Sequence, residues 1–567
     1  MSRYQRSGAG ATTTRPGSLW AAASFKPVWA IAALIPLAFL AVFFVWPVLA
    51  LVTRGFYDSE SWTLTNVAEV LGSARTWRII RQTLTLAVLG TLGSLALGVP
   101  GAYVLYRLSF RGQKLLRAIA TVPFVLPSVV VGVAFRSLLA DSGPLGFLKL
   151  DGTLVAVVAA LVFFNYSVVV RSVGVLWAGL DPRQVEAAAT LGAPPPRAFL
   201  TVTLPALAPA IASAAALVFL FCASAFGVVL ILGGSRTGTV ETEIWYQTTA
   251  LLNLPAAAAL SIVQLVIVVA SLWLSNTARA RQERALRLAG SPKQLPITKT
   301  GIPAICCTAL TVAGLLLAPL LTLVWRSLQT RTGLGFGNYA LLATNANGNL
   351  SVSVWRAAAN SLVTGVVAML LAVVLGGCVS FVLSRTPVSR WGRTLLRFTD
   401  SVFMLPLGVS AVTVGFGFLI TLNRPPLDLR TSWILIPIAQ AIVALPLVVR
   451  TLLPTWRAID PRLREAAATL GASPGRVLAT VELPLLSRGL GLAVGFAFAT
   501  SLGEFGATSF LARPDRPTLP VVVYKLISRP GVDNLGMALA AAVVLALATA
   551  IVMALAELLG RGEERGW

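Results

Sequence analysis

Apolar residues in this chain come in long, near-continuous blocks separated by short polar stretches. Crossing a hydrocarbon core of about 30 Å at 1.5 Å per residue takes about 20 residues. About twelve blocks reach that length, centred near residues 40, 95, 129, 163, 219 and 266, then 313, 371, 411, 442, 499 and 546. The pattern predicts an all-α polytopic membrane protein of about twelve transmembrane helices, six in each half. The first block, Val28 to Val52, exceeds the roughly 7 to 15 apolar residues of a cleaved signal and reads as a retained helix. Gly98, Pro100, Pro127 and Pro406 fall within blocks, where neighbouring helices can satisfy the backbone groups they free.

Composition supports the lipid bilayer as the partner of this surface. Of 567 residues, 56% are hydrophobic and only 12% charged, with a mean hydropathy of +0.82. The formal charge of +24 would suggest nucleic acid in a soluble chain. Here no aromatic-basic interleaving accompanies it, and nucleic acid is not an expected partner. With the N-terminus placed inside, 29 of the 45 Lys and Arg and 10 of the 21 acids fall inside. That asymmetry predicts an N-in, C-in membrane protein. With no histidine in the sequence, a His-based triad or zinc site is excluded, and no catalytic or metal-binding residues are expected. Cys222, Cys306, Cys307 and Cys378 lie in apolar runs without a Cys-x-x-Cys pair and read as small buried hydrophobes.

The chain repeats itself. Asp181 to Leu207 (DPRQVEAAATLGAPPPRAFLTVTLPAL) and Asp460 to Leu486 (DPRLREAAATLGASPGRVLATVELPLL) agree at 18 of 27 positions at an offset of 279. The same offset pairs Phe124, Leu126 and Pro127 with Phe403, Leu405 and Pro406, and Phe226-Gly227 with Phe505-Gly506. Six spans per half bring the second repeat in from the same side, so the two six-helix repeats are expected to be parallel. The expected division is a first repeat over 1–275 with its loop at 181–207, a cytoplasmic linker over 276–300, and a second repeat over 301–567 with its loop at 460–486.

The best-matched segment lies on the cytoplasmic side between spans, where an interaction surface explains identity better than packing does. Asp181 and Asp460 are suited to cap a short helix, with Pro182 and Pro461 at its first position. The Glu-Ala-Ala-Ala run favours helix, and Gly192 and Gly471 can supply the left-handed residue that ends it. Two such knobs imply two matching sockets.

These residues resemble the signature loop of permease subunits of binding-protein-dependent ABC importers. The match is Glu186, Ala187, Ala188, Gly192, Val202, Leu204 and Pro205, and again Glu465, Ala466, Ala467, Gly471, Val481, Leu483 and Pro484, with valine where isoleucine is usual. The resemblance implies a fused two-repeat permease whose loops are coupling helices docked on two copies of a cytosolic ABC ATPase. It also implies an extracytoplasmic substrate-binding protein, with ATP and Mg bound by the partner ATPase and no cofactor in this chain. Residues 232–247 and 501–528 look most similar to the thiamine type, so thiamine or its phosphates come first as cargo and ferric iron next. No Gly-Lys pair occurs, so the chain has no P-loop, and it is not expected to be an enzyme.

Glu504, in Ser-Leu-Gly-Glu-Phe-Gly, is an acid inside a predicted span and thus a substrate-pathway candidate. Its plainer reading is a helix-end acid paired with Arg513 or Arg516, or solvated. Asn165, Tyr166, Gln264, Asn360 and Gln440 suit a polar pathway or interhelical bonds equally, and Trp46, Trp62, Trp245 and Trp433 are expected as interfacial anchors. The alternative function is an ion-gradient-driven secondary transporter, which has no need of a duplicated docking loop. A membrane enzyme would need a cluster of catalytic groups.

Overall fold

A computed structural model describes residues 26–56, 65–234, 237–288, 294–297, 301–331, 333–345, 348, 350–385, 394, 396, 399–400, 402–406, 409–423, 428–429 and 431–561. Trp62 and parts of the 276–300 linker lie outside the described residues. The molecule is helical almost throughout. In the first half the helices are α1 (Ile31–Phe56), α2 (Ala74–Arg107), α3 (Gln113–Phe124), α4 (Ser128–Leu139) and α5 (Leu154–Ala178). They continue with α6 (Arg183–Thr190), α7 (Leu204–Ala223), α8 (Val240–Thr249) and α9 (Leu254–Leu288). The second half has α10 (Ile302–Ser327), α11 (Val354–Leu383), α12 (Ala411–Thr421), α13 (Leu435–Ala458), α14 (Pro461–Thr469), α15 (Leu483–Gly503), α16 (Leu519–Ile527) and α17 (Val532–Arg561).

Among the described residues, nine helices are long and apolar enough to cross a membrane, and counting each of two bent pairs as one span gives eleven. Ala411–Thr421 is a further, shorter apolar helix. Each of the twelve expected centres falls within one of these elements. The block centred at 129 is not one straight helix. Between α3 and α4 the chain turns by 103°, because Pro127 caps α4 from an extended backbone that cannot continue α3. α15 itself bends by 64° between Ser487 and Gly489.

The repeat is carried into packing. α2 lies on α5 and α7 as α11 lies on α13 and α15, and α7 meets α9 as α15 meets α17. The first span of each half departs from this scheme. α1 packs along α11 and α12 of the second half, close enough that a Cβ on Gly417 would lie 3.1 Å from Pro47. Reciprocally, α10 packs on α2 and α4 of the first half. Each half therefore lends its first helix to the other. The linker is also held: Leu295 forms a one-residue ladder with Leu108, through Ser109 N–H to Leu295 O at 2.9 Å and Leu295 N–H to Arg107 O at 2.8 Å.

Burial corrects two expectations. Only Cys222 among the cysteines is buried, while Cys306 is exposed on α10 and Cys307 and Cys378 are half-buried. Trp46 and Trp433 are exposed as anchors should be, but Trp245 packs edge-on against Tyr524 of the opposite half.

Candidate functional site: paired surface loops and a closed axis

The loops after α5 and α13 fold alike. Asp181 Oδ1 accepts the Arg183 N–H at 3.1 Å, and Asp460 Oδ1 accepts that of Arg462 at 2.9 Å. Each cap satisfies one of the free amides at the helix start, worth about 1 kcal/mol. Both helices end at glycines with φ of 81°, Gly192 and Gly471. The Ala193 N–H then donates to Ala188 O and the Ala472 N–H to Ala467 O, both at 3.0 Å, closing carbonyls of the last turn. No residue of α6 or α14 is buried. Glu186 and Ala187 are exposed with Ala188 half-buried, and Glu465, Ala466 and Ala467 repeat that order. Next to the glycines, Leu191 and Leu470 are 89% and 88% exposed. Two large apolar side chains held this far into solvent, in identical settings, mark a binding surface more than a folding contact.

Beneath the loops the halves differ. Glu482 is buried, and its carboxylate accepts from Arg385 at 2.8 and 2.9 Å and from Trp456 Nε1 at 2.8 Å. Arg464 of α14 lies 2.7 Å from the same carboxylate. Burial, and then the neighbouring Arg385, lower the Arg464 guanidinium from its ordinary value, and Glu482 opposes both. In the first half Thr203 occupies the Glu482 position, and Arg107 instead donates to the carbonyl of Leu180 at 2.9 Å.

α7 runs 20 residues from its loop, about 30 Å. Just past its end Phe226 stacks on Phe505, its own counterpart in the second repeat, with ring centroids 5.4 Å apart and planes 21° apart. A position that touches its own repeat partner lies on the pseudo-two-fold axis, as in an isologous interface. Trp245 and Tyr524 are a second such pair, 5.8 Å apart, and Tyr524 also meets Phe505 at 5.4 Å. Four aromatic rings thus close the axis where the halves meet, and Gly503 against Pro127 brings the two backbones together beside them.

Glu504 is 7% exposed. Its Oε1 accepts the Ala507 N–H at 2.7 Å and its Oε2 the Thr508 N–H at 3.0 Å. The carboxylate caps the short helix Thr508–Leu511, and Arg513 pairs with Asp515. Glu504 does stand at a helix end, as its plainer reading has it, but it is neither solvated nor, among the described residues, in an ion pair with Arg513 or Arg516. Asn165, Gln264 and Asn360 each donate to a carbonyl, those of Leu161, Ala223 and Pro517. Sequence reasoning missed Glu241. It is fully buried in the first turn of α8, and neither carboxylate oxygen has a hydrogen-bond partner among the described residues. The signal available was that Glu241 stands opposite Pro520 in the repeat.

The fold and site define an all-α, polytopic membrane protein built twice, with matched loops at one end and a closed axis between its halves. Residues 94–282 and 376–565 each match the family described as binding-protein-dependent transport system inner membrane component. The chain belongs to that family and is a multi-pass inner membrane protein. Among curated relatives, the thiamine transport system permease protein ThiP of Brucella suis is 26% identical over 504 residues, covering 82% of this chain and 86% of that one. The ferric transport system permease protein FbpB of Actinobacillus pleuropneumoniae is 24% identical over 542 residues, covering 91% and 76%. The molybdenum transport system permease protein ModB of Escherichia coli is 34% identical over 194 residues, covering 32% of this chain and 82% of that one. A solved bacterial ABC transporter involved in import of the acidic polysaccharide alginate aligns with 46% of this chain and 99% of its own, at 18% identity and a TM-score of 0.39.

Proposed function

We propose that this chain is the membrane-spanning permease subunit of an ATP-driven importer, N-in and C-in, with its repeats at 1–275 and 301–567 joined by the 276–300 linker. Two copies of a cytosolic ABC ATPase dock on α6 and α14, through Glu186, Ala187, Ala188 and Gly192 and through Glu465, Ala466, Ala467 and Gly471. ATP and Mg belong to those partners. An extracytoplasmic binding protein delivers the solute, thiamine or its phosphates first and ferric iron next, as in the relatives of those names. In this cycle ATP draws the ATPases together, the loops move with them, and the halves rock about the aromatic contacts so that the axis opens to one side and then the other.

The observation that carries this reading is the matched pair of exposed loops, each with a glycine at φ 81° beside a leucine almost wholly in solvent. The test is reconstitution with a cognate ABC ATPase and binding protein. Hydrolysis should rise when the binding protein carries thiamine, its phosphates or ferric iron, and should lose that response when Gly192 and Gly471 are both replaced by bulky residues. A folded chain that retains no ATPase in nanodiscs would instead support a gradient-driven transporter.

A further inference from the structure

Resting on the importer reading and narrowing it, we infer that Glu241, with Gln264 and Trp245, forms a binding point on the solute pathway for a small, flat organic cation. The ordering of atoms on the axis carries this. Glu241 and Trp245 are four residues apart on α8 and so share one face of it. That face turns toward the other half, where Trp245 meets Tyr524. The Ser410 hydroxyl at the start of α12 and the Gln264 side chain of α9 face the Glu241 carboxylate, yet neither reaches it in hydrogen-bonding geometry. Gln264 spends its amide N–H on Ala223 O at 3.1 Å, which leaves its Oε1 as another buried acceptor without a partner.

The Glu241 carboxylate thus lies without a partner next to Gln264, on the helix face that carries Trp245 into a cluster of four aromatic rings. A buried carboxylate left without a partner is costly, and proteins keep such groups where their counter-charge arrives from outside. The first turn of a helix favours an acid through the dipole. That does not account for Glu241, whose oxygens take none of the amides there; Thr239 and Thr242 cap α8 instead. α8 is held firmly, with the Val240 N–H donating to Thr83 Oγ1 of α2 at 3.0 Å, so the carboxylate is positioned and not wandering.

The chemistry selects among cargoes. Among the described residues no three acids or cysteines gather to hold a metal ion, and the sequence has no histidine, so Glu241 is a poor cage for a bare ferric ion, which demands several anionic oxygen ligands. It would repel an oxyanion such as molybdate. Rings of Trp and Tyr beside a single negative charge suit a delocalised monocation bearing N–H groups, which can lie on an aromatic face while it donates to the oxygens. The repeat places Pro520 opposite Glu241, so the charge stands on one side of the axis only and matches a single positive charge. With the rings stacked the point is closed, and a cation reaches it when the halves part.

The experiment uses the full chain with its ATPase and binding protein in proteoliposomes, comparing wild type, Glu241→Gln and Glu241→Asp. Uptake of labelled thiamine, ferric citrate and molybdate is measured with and without ATP. In parallel, Glu241 modification by dicyclohexylcarbodiimide is followed by mass spectrometry with and without thiamine. We expect ATP-driven thiamine uptake that falls at least tenfold in Glu241→Gln and is partly restored in Glu241→Asp, at unchanged yield of assembled complex. Thiamine should slow modification of Glu241 severalfold. Thiamine uptake unaffected by Glu241→Gln overturns the site and leaves the importer standing, as does ATP-driven uptake of molybdate or iron in place of thiamine. Absence of any ATP-driven uptake overturns the importer reading; the site then stands if thiamine slows modification of Glu241 and falls if it does not.

Discussion

The Glu482 carboxylate holds Arg464 at 2.7 Å, and at the repeat-related positions stand Thr203 and Val185. Two loops alike in backbone are therefore fastened differently: the second by a buried acid that gathers Arg385, Arg464 and Trp456, the first by Arg107 donating to the helix-end carbonyls. A push received by α14 passes into α15 through an ionic joint. One received by α6 passes into α7 without such an ion pair among the described residues.

Removing the acid strands two guanidinium groups. Breaking a buried pair from one side costs about 3–5 kcal/mol, and the one-fifth exposure of the arginines moves the expectation to the lower end. Glu482→Ala should lower the thermal midpoint by several degrees and make 461–482 the first site of protease nicking. Thr203→Val should change stability by less than about 1 kcal/mol. Equal effects at the two positions would show that the ionic joint is incidental.

At Gly192 and Gly471 a Cβ would meet nothing within 4 Å, so substitution is resisted by backbone conformation and not by contact. With φ at 81°, Gly→Val should cost about 1–2 kcal/mol locally and straighten the loop, whereas Gly→Asn should be tolerated. Co-purification of the ATPase should fall for valine and persist for asparagine. Loss with asparagine as well would mean that the partner needs the bare backbone.

Leu191 and Leu470 touch little of their own chain, so Leu→Ser at either should leave the unfolding midpoint within about 1 °C of wild type. ATPase retention in detergent should drop, and more so in the double variant. Retention unchanged in the double variant would remove these side chains from the interface.

Phe505 is almost fully buried, and truncating a buried Phe costs about 3–5 kcal/mol. Part of that cost falls on the contact between halves, so Phe505→Ala should raise the passive leak of small solutes from proteoliposomes and raise hydrolysis without binding protein. Lower stability with leak at the wild-type level would assign the ring to packing alone.

Because both oxygens of Glu504 accept backbone N–H groups, Glu504→Ala should cost about 1–2 kcal/mol of stability and Glu504→Gln less, the amide keeping one acceptor. The concentration for half-maximal uptake should stay within twofold in Glu504→Gln. A tenfold rise there, with stability intact, would return Glu504 to the solute pathway.

Span positions, the duplication and the caps at Asp181 and Asp460 were legible because they depend on local hydropathy and on spacing within a few residues. The 103° elbow at Pro127 was half-legible: a proline within a span marks backbone groups that cannot continue a helix, but the packing of Pro127 against Gly503, 376 residues later in the other half, has no local signature.

 Trp245 and Glu241 were not legible for the same reason. Tryptophan near a span end usually anchors at the lipid surface, and only the meeting of the two halves turns that face of α8 inward. Glu504 drew attention as an acid in an apolar run, and it took the backbone amides of Ala507 and Thr508, three and four residues on, to show its carboxylate engaged.

The exchange of first helices between the halves bears on how the chain is made. α1 emerges first in synthesis, but the helices it rests on, α11 and α12, are more than 300 residues later. Until they arrive, α1 has only lipid and part of its own half to lean on, and the first half in turn lacks α10. Such long-range closure is slow and leaves apolar helix faces unsatisfied meanwhile. A single continuous chain eases the problem, since the linker keeps the late partner at high effective concentration and in a fixed one-to-one ratio. Expressed alone, either half would be an incomplete bundle and a ready target for membrane proteolysis; expressed together as separate chains, they would be expected to find each other and be spared.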